Sequence, residues 1–255
     1  MPFAKLQIDG LDIRYRREGQ GDPVLLLHGW GGSIESFNPV FEALAPSFDT
    51  VAIDFPGHGK SALPPKPWRV GDFLDLTLKA MDALRLERPH IVAHSFGGRV
   101  TIRLAAEHAG RAGKLLFTAG AGVASRKTLT RRLKRAAASA ARAMESAPVV
   151  GSLASNLKAR LRPHVASRDY LAAGALRETL ALVVAEDQTP YLASIRSKCL
   201  LVWGDQDRET PLYMGETMKE RIPGAELVVF SGAGHFPYLD QPHKFNMMAL
   251  KFFRE

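Results

Sequence analysis

The sequence predicts an α/β protein: a mostly parallel, doubly wound sheet with helices on both faces and a helical cap insertion past its midpoint. Three observations predict it. Short continuous apolar runs alternate with longer stretches of helical periodicity. That is the pattern of strands buried on both faces and joined by crossover helices. An Asp-Gly pair between two alternating segments marks a hairpin near the start. The strand–helix rhythm then breaks over about 122–190 and resumes at Cys199.

The elements follow in order. Lys5–Ile8 and Leu11–Tyr15 flank Asp9-Gly10 and read as the two arms of the hairpin. The buried runs are Val24–Leu27, Val51–Ile53, His90–Ala93, Lys114–Ala119, Cys199–Trp203 and Leu227–Phe230. Helices are expected at about 35–45, 70–86, 97–109, 212–221 and 242–253. The second carries Val70, Phe73, Leu74, Leu76, Leu78, Met81 and Leu84, a spacing that gathers apolar side chains on one helical face. The stretch 122–190 is rich in Ala and Arg, is helical in pattern and holds no convincing strand. The expected organisation is therefore a core domain of residues 1–121 and 191–255, with 122–190 as a helical cap, or lid, over a site.

Charge is distributed unevenly. The 255 residues hold 34 Lys/Arg against 26 Asp/Glu, a net charge of +8. Residues 125–170 alone hold 11 basic and two acidic side chains, which leaves 23 against 24 elsewhere. The basicity belongs to the insertion and does not mark a nucleic-acid-binding protein. A solvated helical face accounts for it. The sharper alternative is a surface for anionic substrates or anionic lipid head groups, in peripheral contact with a membrane. No segment approaches the ~18 apolar residues of a membrane span. The start Met1-Pro2-Phe3-Ala4-Lys5-Leu6 lacks the pattern of a secretory signal, so a cytoplasmic location is expected. The single cysteine, Cys199, sits in an apolar run and reads as a buried, inert thiol. No internal repeat is visible, and the pattern does not specify an oligomeric state.

The chemistry-bearing segment is His90-Ile91-Val92-Ala93-His94-Ser95-Phe96-Gly97-Gly98-Arg99. A strand enters a tight turn at Ser95 and a helix follows. Such a turn pushes the serine hydroxyl out at the strand's end. Small residues are needed two before and two after it, where strand and helix cross closely, and Ala93 and Gly97 stand there. The segment resembles the nucleophile elbow G-x-S-x-G of the α/β-hydrolase family, with Ala93 in place of the first Gly.

A serine hydroxyl needs a base to become a nucleophile. Of the eight histidines, His235 follows two flexible glycines in Gly232-Ala233-Gly234-His235-Phe236-Pro237, just after a predicted strand. It resembles the family's late catalytic histidine. His94 adjoins Ser95, but its side chain is expected to point away from the hydroxyl. The base needs a carboxylate partner. Trp203-Gly204-Asp205-Gln206-Asp207 resembles the family's W-G-x-x-D, which implies Asp207, with Asp205 the competitor as a turn or capping residue. The chain order nucleophile, acid, base is the one the family requires.

His28-Gly29-Trp30-Gly31-Gly32 resembles the family's oxyanion loop and implies the backbone N–H groups of Trp30 and Phe96 as oxyanion donors. Asp54-Phe55-Pro56-Gly57-His58-Gly59-Lys60-Ser61 resembles the D-x-x-G-x-G-x-S turn, read as structural. These matches span about 24 to 240, the insertion excepted.

The resemblance implies a serine hydrolase acting on a small-molecule ester through an acyl-enzyme. Family members that open epoxides or remove halides carry Asp at the nucleophile position, so Ser95 disfavours those reactions. C–C hydrolysis of ring-cleavage products is the alternative, with Arg126 or Arg168 of the cap to bind a carboxylate. The C–C hydrolases often place Trp after the histidine, where this chain has Phe236. A slow-turnover ligand-binding receptor of the same fold is the third reading. No cofactor is implied, and no His/Cys cluster has metal-ligand spacing.

Overall fold

The computed structural model describes residues 3–124 and 174–255. Eight strands form one sheet in the order β1-β2-β4-β3-β5-β6-β7-β8. They are β1 (Ala4–Ile8), β2 (Leu11–Glu18), β3 (Pro23–Leu27), β4 (Asp49–Ile53), β5 (His90–His94), β6 (Leu115–Thr118), β7 (Cys199–Gly204) and β8 (Glu226–Phe230). The first two are antiparallel, as is the pairing of β2 with β4, and every other neighbour is parallel. The described α-helices are α1 (Asn38–Leu44), α2 (Val70–Ala83), α3 (Phe96–Glu107), α4 (Arg177–Ala185), α5 (Tyr213–Arg221), α6 (Pro237–Asp240) and α7 (Pro242–Arg254).

The hairpin forms at Asp9-Gly10, both with positive φ, as a tight hairpin turn requires. Strand β2 runs to Glu18, beyond the predicted Tyr15, because Tyr15–Glu18 pair with β4. Its arginines hide the strand in the sequence and are neutralised in the fold. Arg14 bonds Glu35 and Asp54, Arg16 bonds Glu18, and Arg17 grips Asp49 with two nitrogens.

The continuous apolar runs have a direct explanation in β3. Leu25 and Leu27 face one layer, with Phe73 and Met81 of α2 and Val100 and Leu104 of α3. Val24 and Leu26 face the other, with Phe41 and Leu44 of α1 and Phe245 and Phe252 of α7. Both faces are dry, so alternation disappears. Each such side chain contributes about 1.5–3 kcal/mol on burial.

The helix expected at 35–45 is split: Ile34–Phe37 form a 3-10 turn and α1 starts at Asn38, with Pro39 in its first turn. Helix α2 stops at Ala83, and Arg85 turns back with φ 58°. Its start is fixed by the Asp72 carboxylate, which accepts the Arg69 N–H at 2.6 Å.

The insertion expected at 122–190 lies for the most part outside the described residues, as do Arg126 and Arg168. Its described end holds a 3-10 turn at Gly174–Leu176 and α4. Leu176 packs over Gly57, where a Cβ would lie 2.7 Å from its Cδ1. The Thr179 hydroxyl oxygen accepts the Trp68 N–H at 3.1 Å. The returning chain is thus anchored beside the C-terminal ends of the strands. There the loops after β3, β4, β5, β7 and β8 carry His28–Trp30, Asp54–His58, Ser95, Asp207 and His235.

Candidate active site

Ser95 stands between β5 and α3 with φ 47° and ψ −109°. That conformation costs an L-residue on the order of 1–3 kcal/mol and persists only when neighbours enforce it. They do. The Ser95 N–H donates to Thr118 O at 3.3 Å, and Ser95 O accepts the N–H groups of Gly98 and Ala121, each at 2.9 Å. The Gly97 N–H donates to His28 O at 3.1 Å, tying the elbow to the loop after β3. Gly97 is obligatory here: a Cβ would lie 2.7 Å from Leu27 C and 3.0 Å from His28 O.

Asp207 is 5% exposed, and each of its carboxylate oxygens is held. Oδ1 accepts the N–H groups of Glu209 and Thr210, both at 2.9 Å. Oδ2 lies 2.9 Å from His235 Nδ1 and 2.8 Å from the Thr210 hydroxyl. Burial alone would raise this carboxyl, but the bonds from His235 and Thr210 outweigh burial and hold it below the usual carboxylate range. The structure brings Asp207 to His235, and Asp205 elsewhere: its Oδ1 accepts the Gly232 N–H at 2.8 Å, as a turn residue does. With Nδ1 committed to Asp207, the nitrogen of His235 that remains for chemistry is Nε2.

His94 had no assigned use in the sequence. Its Nε2 lies 2.9 Å from His235 O. A carbonyl only accepts, so Nε2 carries the hydrogen and donates it. Burial, reinforced by the neighbouring His235, pushes His94 down to about 3, so it stays neutral. Its ring contacts those of His235 and Phe236 at 4.8 and 4.9 Å. Gly29 makes room for it, since a Cβ there would lie 2.6 Å from His94 Nδ1.

The loop after β3 is shaped by two buried groups. His28 Nε2 accepts the Phe55 N–H at 3.0 Å, so Nδ1–H donates to Gly29 O at 2.7 Å. Burial pushes His28 down to about 4 and fixes this neutral form. Asp54 Oδ1 accepts the Ile34 N–H at 2.7 Å, while Oδ2 accepts the Lys60 N–H at 2.9 Å and pairs with Arg14 at 3.3 Å. The D-x-x-G-x-G-x-S turn therefore fastens the loops after β3 and β4 together. The Trp30 and Phe96 rings meet edge to face at 5.4 Å, with His58 4.7 Å from Trp30. Their backbone N–H groups make no hydrogen bond among the described residues. The Phe96 N–H opens α3, where exposed donors and the helix dipole favour an anion.

Sequence reasoning did not single out Thr210 or His94 as site residues. His94 acts through a bond that spans 141 residues, and Thr210 bonds Asp207 within one turn but meets His235 only through the fold, 25 residues on. Among the described residues, no group of three or more His, Cys, Asp or Glu side chains is placed to hold a metal ion. Cys199 is buried and unpaired, its thiol pushed up to about 12 by burial.

The chain resembles known proteins over nearly its whole length. It is 27% identical over 277 residues to a 2-hydroxy-6-oxo-6-phenylhexa-2,4-dienoate hydrolase of Comamonas testosteroni, covering 99% of this chain and 96% of that one. It is 28% identical over 261 residues to a pimeloyl-[acyl-carrier protein] methyl ester esterase of Neisseria meningitidis serogroup B, covering 91% and 95%. Its fold matches that of an esterase from Exiguobacterium antarcticum with a TM-score of 0.77 at 21% identity, over 98% of this chain and 99% of the other. The sequence model of the alpha/beta hydrolase family matches residues 24–247, the stretch that carries the strand-end loops described above. The chain belongs to the alpha/beta hydrolase family.

Proposed function

We propose that the chain is a serine hydrolase that cleaves carboxylic ester bonds of small or medium acyl substrates. The observation that carries the reading is the His235–Asp207 pair at 2.9 Å, at the same sheet edge as the strained Ser95 turn. In this reading Ser95 Oγ attacks the ester carbonyl while His235 Nε2 takes its proton. Asp207 holds the imidazole in the tautomer that leaves Nε2 open and stabilises the imidazolium. The backbone N–H groups of Trp30 and Phe96 receive the negative oxygen of the tetrahedral intermediate. His235 then gives its proton to the leaving alcohol. Water, activated by the same nitrogen, releases the acid from Ser95.

The test is a panel of p-nitrophenyl esters of graded chain length. Ser95→Ala is expected to lower turnover by roughly 10,000-fold or more, since members of such a triad act as a unit. Retention of ester hydrolysis by Ser95→Ala would refute the reading.

A second reading, C–C hydrolysis of a vinylogous dioxo acid, draws support from the Comamonas relative, aligned over 99% of this chain. It uses the same residues, and Phe236 stands against it. A ring-cleavage product included in the panel decides between them. Turnover of that product above the best ester favours the second reading.

A further inference from the structure

Thr210 lies three residues beyond Asp207 and is 6% exposed. Its backbone is fixed at both ends. The N–H donates to Asp207 Oδ1 at 2.9 Å, and the carbonyl accepts the Trp203 indole N–H at 2.7 Å. Its hydroxyl oxygen then has three polar neighbours. Asp207 Oδ2 lies at 2.8 Å, Ala119 O at 3.0 Å and His235 Nδ1 at 3.3 Å.

A hydroxyl has one proton to donate. Two acceptors, Asp207 and Ala119, compete for it. If the proton went to Ala119, the hydroxyl lone pairs would face an ionised oxygen at 2.8 Å. That contact is repulsive, whereas an O–H donated to a carboxylate is charge-assisted and about twice as strong as a neutral bond. The proton therefore goes to Asp207 Oδ2. This is the same oxygen that accepts the Nδ1–H of His235.

We infer that Thr210 is a positioning residue for the base: its hydroxyl holds Asp207 Oδ2 in line with His235 and draws off part of the charge with which that oxygen stabilises the imidazolium. The inference rests on the proposed role of His235. The Thr210 hydroxyl lies on the Nδ1 side of His235, away from the Nε2 assigned to the reaction. It acts on where Asp207 points and on the pH at which His235 titrates. The N–H groups of Glu209 and Thr210 satisfy the other oxygen, Oδ1, and two further titratable groups stand near the base. His94 faces it from the end of β5 and is neutral. Asp240 of α6 is engaged with the Gly234 N–H at 2.7 Å.

The experiment compares Thr210→Val, which keeps the shape and removes the hydroxyl, with Thr210→Ser, which keeps the hydroxyl. Freed of its second donor, Oδ2 binds the imidazolium more strongly. The acid limb of the kcat/KM profile is expected to move up by roughly half a pH unit in Thr210→Val, with kcat lowered about 3- to 10-fold and KM within about twofold. Thr210→Ser is expected to restore both. The His235 titration, followed by NMR in the free protein, is expected to move in the same sense and needs no substrate. An unmoved titration in Thr210→Val overturns the inference, as does a Thr210→Ser profile equal to that of Thr210→Val. A lowered Tm with neither limb nor titration displaced shows a structural residue only and also overturns it. Should Thr210→Val fail to fold, Thr210→Ala carries the same comparison. Ser95→Ala run alongside separates the two levels: if it stays active, the role of His235 falls; if it is dead while Thr210→Val titrates normally, only Thr210 is misassigned.

Discussion

Gly97→Ala sets a quantitative trial for the geometry of the elbow. The added methyl would be driven into the Leu27 carbonyl oxygen, its nearest neighbour, and would lie 2.7 Å from Leu27 C and 3.0 Å from His28 O, against 3.4–4 Å for ordinary contact. These are backbone atoms of β3 and its loop, and they cannot swing aside as a side chain can. Either α3 or the β3 loop must retreat by something close to 1 Å. The Gly97 N–H is bonded to His28 O, so the retreat also parts the Phe96 N–H from the Trp30 loop. A displacement of about 1 Å at a reacting centre costs on the order of 100-fold in rate, and overpacking costs typically 1–3 kcal/mol of stability. The expectation is a kcat on a p-nitrophenyl ester lowered about 100-fold, with a clearly lower Tm. Two further glycines grade the effect. At Gly98 the nearest atom to a Cβ is Gly120 Cα at 3.0 Å, so Gly98→Ala should fall between. At Gly110 nothing lies within 4 Å, and Gly110→Ala should be silent. A Gly97→Ala enzyme with unchanged kcat and Tm, or a ranking with Gly110 first, would refute the reasoning.

Two other outcomes follow from the same geometry. Asp207→Asn is expected to lower ester turnover by roughly 10,000-fold through the wrong imidazole tautomer, while Asp205→Asn, whose carboxylate accepts the Gly232 N–H, keeps most of it; the reverse ranking in steady-state assays would reassign the acid. His28, His58 and His94 are pushed down from 6.5 to about 4, 4 and 3, chiefly by burial, so the unfolded chain binds more protons than the native one below pH 6.5. The stability they contribute is complete above 6.5 and is lost as the pH falls towards 4, each with a slope of up to about 1.4 kcal/mol per pH unit. Urea midpoints between pH 7 and 4.5 check this, and His58→Phe is expected to flatten the slope by one proton's worth; an unchanged slope counts against it.

The fold was legible wherever burial wrote itself into local pattern. The runs at β3, β5 and β7 are apolar because both faces are covered, and the Asp9-Gly10 turn has one favoured conformation. Legibility failed where tertiary partners overrode composition. The end of β2 is rich in arginine, and only its carboxylate partners make it a strand. The 3-10 turn at Ile34–Phe37 depends on Asp54, 20 residues later, which caps the Ile34 N–H. Ser95, Asp207 and His235 stand in recognisable motifs. His94 and Thr210 do not, because the bond of His94 spans 141 residues and the contact of the Thr210 hydroxyl with His235 Nδ1 spans 25.

The bond from His94 to the His235 carbonyl has a consequence for how such a site can be altered. His94 is the chain neighbour of Ser95, yet its ring serves the opposite arm of the site. The two arms are thereby tied to each other by one hydrogen bond. A graft of the 231–236 loop from another hydrolase would arrive without the donor its backbone was shaped around. It would need residue 94 exchanged with it, together with the space that Gly29 leaves for the ring. Modular exchange of strand-end loops in this chain therefore has a minimum cassette, and that cassette is discontinuous in the gene.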